Sequence, residues 1–451
     1  MRWRSSAVYL LILLLLVGYY YYFEVLKKEE QKAVEKEARK VLVFQPDKVT
    51  GIEIYSGDAQ PIRLEKQDQW KITEPVNTDV DRTSFDGLFG GLKNLESERK
   101  VTTAAPENLA PYGLAKPPLK VRLHAGDQWL ELLVGEQNPT GDSRYAKLAS
   151  APDIFLIPQG NWNVLNKTVK DLRKKELFSW QTSEVVGMDV GWQSGEKYRM
   201  ERGPENREWQ AVGKPELKLK TSKVENVLDQ LHWMRATDFL DDGAAPAPPL
   251  VEVTLQLKNG RTAQLKLGEA DPKTKQAVAS SSEISVPVRV AGFVTNEIPK
   301  SADSLVDRSL IASDVTDIRK VQWKTEGDEG VLTWMDQENW GTMHDNKLAP
   351  IKEPWMVISF LEQVASTEYT AKTEPGAAPD PLANRVEFSD AQNRTGAIAW
   401  AKLATPGENA GPVAVRLEKN GETGTVQVQY NAILQMQQAL DSMVKAGKEK
   451  K

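Results

Sequence analysis

The sequence predicts an α+β chain: an N-terminal transmembrane helix and helical stalk, then three tandem repeats, each an antiparallel sheet with one or two packed helices. Three observations carry this expectation. An uncharged apolar run lies near the N-terminus, a strand pattern recurs at spacings of 136 and 130 residues, and an amphipathic helix follows each copy of it. Length agrees, since 451 residues at ~150 per domain give about three domains, each large enough for its own core. The boundaries read as a cytoplasmic tip and anchor over residues 1–23, a stalk over 24–42, repeats over 43–181, 182–312 and 313–445, and a charged tail over 446–451.

Ala7 to Phe23 holds no charge and is preceded by Arg2 and Arg4. Leu10, Leu13 and Leu16 lie in its apolar block, and Trp3, Tyr19 and Tyr22 stand at its ends, where interfacial aromatics anchor a span. A cleaved signal peptide would need small residues after the run; this one ends in tyrosines, Glu24 and two lysines. The arginines favour a cytoplasmic N-terminus, with the bulk of the chain on the far side of the bilayer. Residues 24–40 are strong helix formers without Gly or Pro and read as a stalk continuing the anchor.

The repeats open on Val49–Ile54, Val185–Val190 and Val315–Lys320. A strand bearing a tryptophan follows each: Trp70, Trp209 and Trp340, equivalent by position and most simply core anchors. Apolar residues at i, i+3, i+4, i+7 then mark a helix in every copy: Phe85, Leu88, Phe89 and Leu92; Val224, Val227, Leu228 and Leu231; Val357, Phe360, Leu361 and Val364. Helix starts are signalled by Thr83 or Ser84, by Ser222 and by Pro354. Ala/Pro-rich turns end the helices, and hairpins return: Val121–Leu123 with Leu130–Val134, Val251–Leu257 with Ala263–Leu267, and Val386–Phe388 with Ala397–Trp400. The copies close with helical stretches over Trp162–Leu177, Ser301–Ile311 and Ala432–Val444.

Composition narrows the chemistry. The chain has no cysteine, which excludes thiol nucleophiles, Cys-ligated metals and a lipid-modified N-terminal cysteine. Net charge of −5 gives no broad basic field for nucleic acid. His124, His232 and His344 fall one per copy at unrelated positions and without metal-ligand spacing, so no metal or Ser-His-Asp site is expected. Walker A and G-x-G-x-x-G patterns are absent, so any ATP hydrolysis resides in another chain. Asp79 and Asp81 resemble a carboxylate pair but sit where helix capping explains them. No catalytic or cofactor-binding residue is assigned. Trp129, Trp162, Trp180, Trp192, Trp233 and Trp355 are not all repeat-equivalent and are candidates for interfaces or a binding face.

The first copy resembles the domain called DUF4340 over roughly residues 45–180. The resemblance rests on Ile52-Glu53-Ile54, Leu64-Glu65-Lys66 leading to Trp70-Lys71-Ile72 with Pro75, the turn Tyr112-Gly113-Leu114 with Pro117, and Leu133-Val134-Gly135. Copies two and three lack the Tyr-Gly-Leu turn and follow only through internal similarity. The resemblance implies a protein of the bacterial inner membrane, encoded beside ABC-transporter genes and related to the auxiliary component of gliding-motility transporters. Its implied partners are the lipid bilayer and ABC permease and ATPase subunits. The function expected is a non-enzymatic accessory subunit whose modules act as scaffold or as a partner- or cargo-binding arm. The alternative is an envelope glycan-, lipid- or peptide-binding module using clefts between domains.

Overall fold

The computed structural model describes residues 39–103, 108–203, 208–243, 248–336, 339–344, 347–373, 382–403 and 411–448. The expected anchor, with Trp3, Leu10, Leu13, Leu16, Tyr19 and Tyr22, and residues 24–38 of the expected stalk lie outside these. Among the described residues no helix is long and apolar enough to cross a membrane. Contacts divide the chain into two compact units, one of residues up to 197 with 226–298, the other of 198–225 with residues from 299 onward.

The first unit holds the first repeat complete. β1 (Val49–Ser56), β2 (Ile62–Lys66), β3 (Trp70–Glu74) and β4 (Thr78–Asp79) run up and down from the middle of the sheet to one edge. Helix α1 (Arg82–Lys93) then carries the chain to β5 (Arg99–Thr103) on the opposite edge. β6 (Leu119–Ala125), β7 (Gln128–Gln137), β8 (Ser143–Leu148) and β9 (Asp153–Pro158) fill the gap, giving the antiparallel order β4-β3-β2-β1-β6-β7-β8-β9-β5. Alternation along the strands turns Ile52, Ile54, Leu64, Ile72, Val121, Leu123, Leu132 and Val134 to one face, where they share a core with Phe85, Leu88 and Leu92 of α1. Val41 and Leu42, at the end of the expected stalk, belong to the same core.

The second repeat starts in the same unit with β10 (Val185–Trp192). After β11 (Lys197–Arg202), β12 (Trp209–Ala211), α4 (Thr221–His232) and β13 (Asp238–Phe239), it continues with β14 (Val251–Leu257), β15 (Thr262–Leu267), β16 (Gln276–Ser281) and β17 (Val288–Ala291). The first unit's strands of this repeat follow the order β10-β14-β15-β16-β17-β13, while the β11–β12 hairpin counts in the second unit. The third repeat, in the second unit, restores all nine strands. β18 (Ile318–Lys324), β19 (Glu329–Asp336), β20 (Asn339–His344), β21 (Lys347–Pro350), α6 (Trp355–Ser366), β22 (Ala371–Lys372), β23 (Asn384–Asp390), β24 (Thr395–Trp400), β25 (Val413–Lys419) and β26 (Glu422–Val428) take the order β21-β20-β19-β18-β23-β24-β25-β26-β22. The chain is thus α+β with three antiparallel sheets.

Three expectations need correction. The third repeat does not open on a strand at Val315, because Val315–Asp317 is a 3-10 turn closed by Asp317 N–H donating to the Asp314 carbonyl at 2.9 Å. Equivalent turns, Pro46–Lys48 and Thr182–Glu184, precede β1 and β10. The true frame is Val49, Val185 and Ile318, at spacings of 136 and 133 residues, and each strand has a β-bulge just beyond that residue. Because the bulge adds a residue, the buried positions fall at offsets of three and five: Ile52 and Ile54, Met188 and Val190, Val321 and Trp323. The helix of the first repeat starts from Asp81, whose carboxylate accepts from Ser84 N–H at 2.8 Å, with Thr83 and Ser84 already helical. Finally, the first two repeats do not close on long helices.

Trp162–Leu177 contains only the end of α2 (Gln159–Leu165) and α3 (Val169–Leu172), separated where Thr168 and Asp171 form a capping box. Between β17 and the third repeat stand the single turn α5 (Val294–Glu297) and, within Ser301–Ile311, the 3-10 turn Ala302–Leu305. In both places the backbone groups that a longer helix would use bond to neighbouring segments instead. Only the third repeat closes on a long helix, α7 (Tyr430–Lys448), which buries Ile433, Met436, Leu440 and Met443 beside α6 residues in one core. His344 is the last residue of β20.

Candidate binding face and the joints between repeats

The segments entering the three repeats make the same backbone bonds. Ser97 N–H donates to the Arg39 carbonyl at 2.8 Å, Ala236 N–H to Lys175 at 2.8 Å and Tyr369 N–H to Arg308 at 3.0 Å. Lys40, Glu176 and Ser309 accordingly form isolated antiparallel bridges to Glu96, Arg235 and Glu368, each just beyond the helix of the repeat being entered. The two linkers between repeats are also held on their other side. Asp81 N–H donates to the Leu172 carbonyl at 2.7 Å and Lys174 N–H to Asp79 at 2.9 Å; in the second linker Lys220 N–H donates to Leu305 and Asp307 N–H to Lys218, both at 2.8 Å. Each linker therefore ties the start of one repeat's helix to the end of the next repeat's helix.

Side chains reinforce both joints. At the first, Arg235 donates to Asp81 and to Glu176, both at 2.5 Å, and Arg173, almost fully buried, donates to Asp241 at 2.8 Å with its guanidinium 4.1 Å from the Phe239 ring. Burial works upward on the Asp81 carboxyl, but bonds from Ser84 and the charges of Lys175 and Arg235 outweigh it and hold the group below the usual carboxylate range. At the second joint Lys419 donates to Asp307 at 2.7 Å and to the Ser309 hydroxyl and carbonyl at 2.9 and 3.0 Å, and Lys223 donates to Glu368 at 2.8 Å. Asp307 is likewise held low, burial again being overcome by Lys419 and Ser309. In the third repeat Pro354 stands immediately before α6, where Asp81 and Lys220 stand before α1 and α4. Proline has no N–H, so this repeat lacks the donor with which the other two grip a linker.

Of the paired carboxylates, Asp81 is therefore a helix cap and joint residue. Asp79 lies on the edge strand, exposed and 3.6 Å from Lys71. The repeat-equivalent tryptophans begin or nearly begin the third strand of each copy. Trp209 and Trp340 are buried, while Trp70 is half-buried and packs on Phe85 with ring centroids 4.7 Å apart. The turn Tyr112-Gly113-Leu114 docks on Gly135 of β7: a Cβ on Gly135 would lie 2.1 Å from the Tyr112 carbonyl oxygen, and one on Gly113 would lie 2.7 Å from Glu136 N. Gly113 adopts a positive φ of 65°, Leu114 is buried, and the Tyr112 ring meets Tyr145 edge-on at 5.0 Å, with Pro117 two residues before β6. Two motifs that are 21 residues apart thus form one contact.

The face of the first sheet away from α1 carries a polar and aromatic cluster. Register places Gly51 beside Glu65 on one side and His124 on the other, with Trp129 opposite His124. In the next row Glu53 lies between Arg63 and Arg122. The Thr50 hydroxyl and His124 Nδ1 share a 2.8 Å hydrogen bond, and the imidazole stacks on Trp129 at 4.7 Å. The Arg122 guanidinium lies 4.4 Å from the same indole, and its Nη1 donates to Glu53 at 2.7 Å; Tyr55 donates to that carboxylate at 2.8 Å. Trp129 keeps 45% of its surface exposed. Between these walls lies a cavity of about 360 Å³ lined by Thr50, Gly51, Glu53, Glu65, His124 and Trp129, among others.

Among the remaining tryptophans, Trp180 and Trp192 are buried, Trp162 is half-buried with Arg144 3.8 Å from its ring, and Trp233 and Trp355 are exposed. A cavity of about 530 Å³ in the third repeat surrounds Asp390, whose carboxylate is saturated by Ser313, by the backbone of Gln392 and Arg394, and by Arg394 Nε. Among the described residues no three His, Asp or Glu side chains cluster so as to hold a metal ion.

No curated protein and no solved structure matches the chain. The family model of DUF4340, a domain of unknown function, matches residues 70–250. This stretch begins at β3 of the first repeat and ends at the residue before β14 of the second, so it starts later than the resemblance over 45–180 and reaches into the second repeat. It takes in Asp81, Arg173, Glu176, Arg235 and Asp241, the charged residues paired at the first joint. The chain carries a DUF4340 domain over residues 70–250.

Proposed function

We propose that the chain is a non-enzymatic, membrane-anchored accessory subunit of an ABC-type transport system, whose tandem modules act as scaffold or partner-binding arm outside the cytoplasmic membrane. The observation that carries this reading is the repeated joint. Backbone bonds on both sides of each linker hold it against the two helices it joins, which suits a subunit that positions a partner rather than one that closes over a substrate. The resemblance to membrane-anchored proteins encoded beside ABC transporters, and the apolar run from Ala7 to Phe23, supply the location and the partner class. Purification of the full chain at native abundance in mild detergent tests it. A permease and an ATPase should co-purify; recovery of the chain alone contradicts the reading.

A further inference from the structure

Between the three repeats, the position of Gly51 acts as an internal comparison. In the second repeat Gly187 occupies it, but the Gln256 side chain lies over that glycine, 2.7 Å from where a Cβ would be, and donates to Asp189 at 3.1 Å. In the third repeat the position is Lys320, opposite Ser389. Only the first repeat combines a glycine there with an aromatic wall: Gly51 floors the depression, a Cβ on it would still clear His124 Cβ by 3.5 Å, and Trp129 stands beyond the imidazole. The indole is fixed by His124 and Arg122 while nearly half its surface stays in water.

The surroundings define what such a platform would take. Three carboxylates (Glu53, Glu65, Glu131) stand among three cations (Arg63, Lys66, Arg122), and Glu53 is already engaged by Arg63 at 3.3 Å and by Arg122. The local charge balance favours a neutral ligand over an anion or a cation. An exposed indole face is electron-rich and attracts weakly positive C–H groups, and a cavity of this size falls at the small end of ligand sites, ~300–1,000 Å³. A neutral ring with a C–H face and a hydroxylated rim meets all three conditions. We propose that this depression is a saccharide-binding site in which a pyranose ring stacks on Trp129 while its hydroxyls bond to the Glu65 carboxylate and to His124 Nε2, the ring nitrogen on the side away from the hydrogen bond shared with Thr50.

This site does not depend on the transport role. The test uses the full chain in detergent micelles against an array of neutral pyranose di- to tetrasaccharides, with saturation-transfer NMR on the binders. Trp129→Ala should weaken binding by more than about tenfold, and Gly51→Lys and His124→Gln, which install the third and second repeats' residues, should do the same. Trp233→Ala, at a still more exposed tryptophan outside the site, should change nothing. Urea midpoints of the variants establish that each is folded. If no saccharide binds, or if binding is equal in the parent and the Trp129 and Gly51 variants, the assignment is overturned.

Discussion

Asp81→Asn removes one charge from the first joint while leaving helix α1 capped, because asparagine caps about as well as aspartate. Asp81 is 2% exposed; one oxygen accepts from Ser84 N–H at 2.8 Å and the other from Arg235 at 2.5 Å. In the variant, an amide N–H₂ replaces the second oxygen and meets the guanidinium donor to donor. A hydrogen bond to a charged group contributes about 1.5–3 kcal/mol, and water offsets part of this because the Arg235 side chain is 44% exposed. The expected loss is about 1.5 kcal/mol, and Asp81→Ala, which also loses the cap, should cost about 2.5 kcal/mol. Urea denaturation of the full chain, read by circular dichroism, measures both. A double-mutant cycle with Arg235→Ala should return a coupling of about 1 kcal/mol between residues 154 positions apart. Asp81→Asn as stable as the parent, or a cycle with no coupling, would refute the claim that this ion pair holds the joint.

Three further outcomes follow from the same geometry. Gly135→Ala should destabilise the first repeat by about 2–3 kcal/mol, since the new Cβ would collide with the Tyr112 carbonyl; a neutral midpoint in thermal unfolding would show that the turn is not docked there. Lys419→Ala strips Asp307 and Ser309 of their common donor at the second joint and should cost about 2–3 kcal/mol in urea, with Lys419→Arg retaining part of it. Asp390 has its carboxyl held at about 2: burial works upward and is overcome by Ser313, Arg394 and the Gln392 backbone. Its folded value lies below the ordinary 3.8, so its contribution is complete above 3.8 and is lost as pH falls through about 2. Asp390→Ala should therefore flatten the fall in denaturation midpoint over that acid window, and an unchanged slope would contradict the assignment.

Periodicity made the three copies legible because each helix face and each hairpin buries its own alternation, as Phe85, Leu88 and Leu92 or Val251 and Val253 do. The third frame was misplaced by three residues because a bulge breaks period two, and a search for apolar residues at offsets of three and five would have found Ile318, Val321 and Trp323. The joints were not visible at all. They are made by backbone groups of linkers whose side chains, such as Lys174 and Lys175, carry no pattern, and their charge partners lie far apart in sequence. Of the binding face, Trp129 stood out by residue type alone. That Gly51, Glu65 and His124 share its row depends on register, which sequence alone does not supply.

The repeated joint is the central claim, and native-state hydrogen exchange of the full chain tests it most directly. The amides of Asp81, Lys174 and Ala236 at the first joint, and of Lys220, Asp307 and Tyr369 at the second, should exchange as slowly as the sheet amides of their own repeats. If they exchange at the rates of exposed loops while the sheets stay protected, the linkers are not held, and the scaffold reading loses its basis.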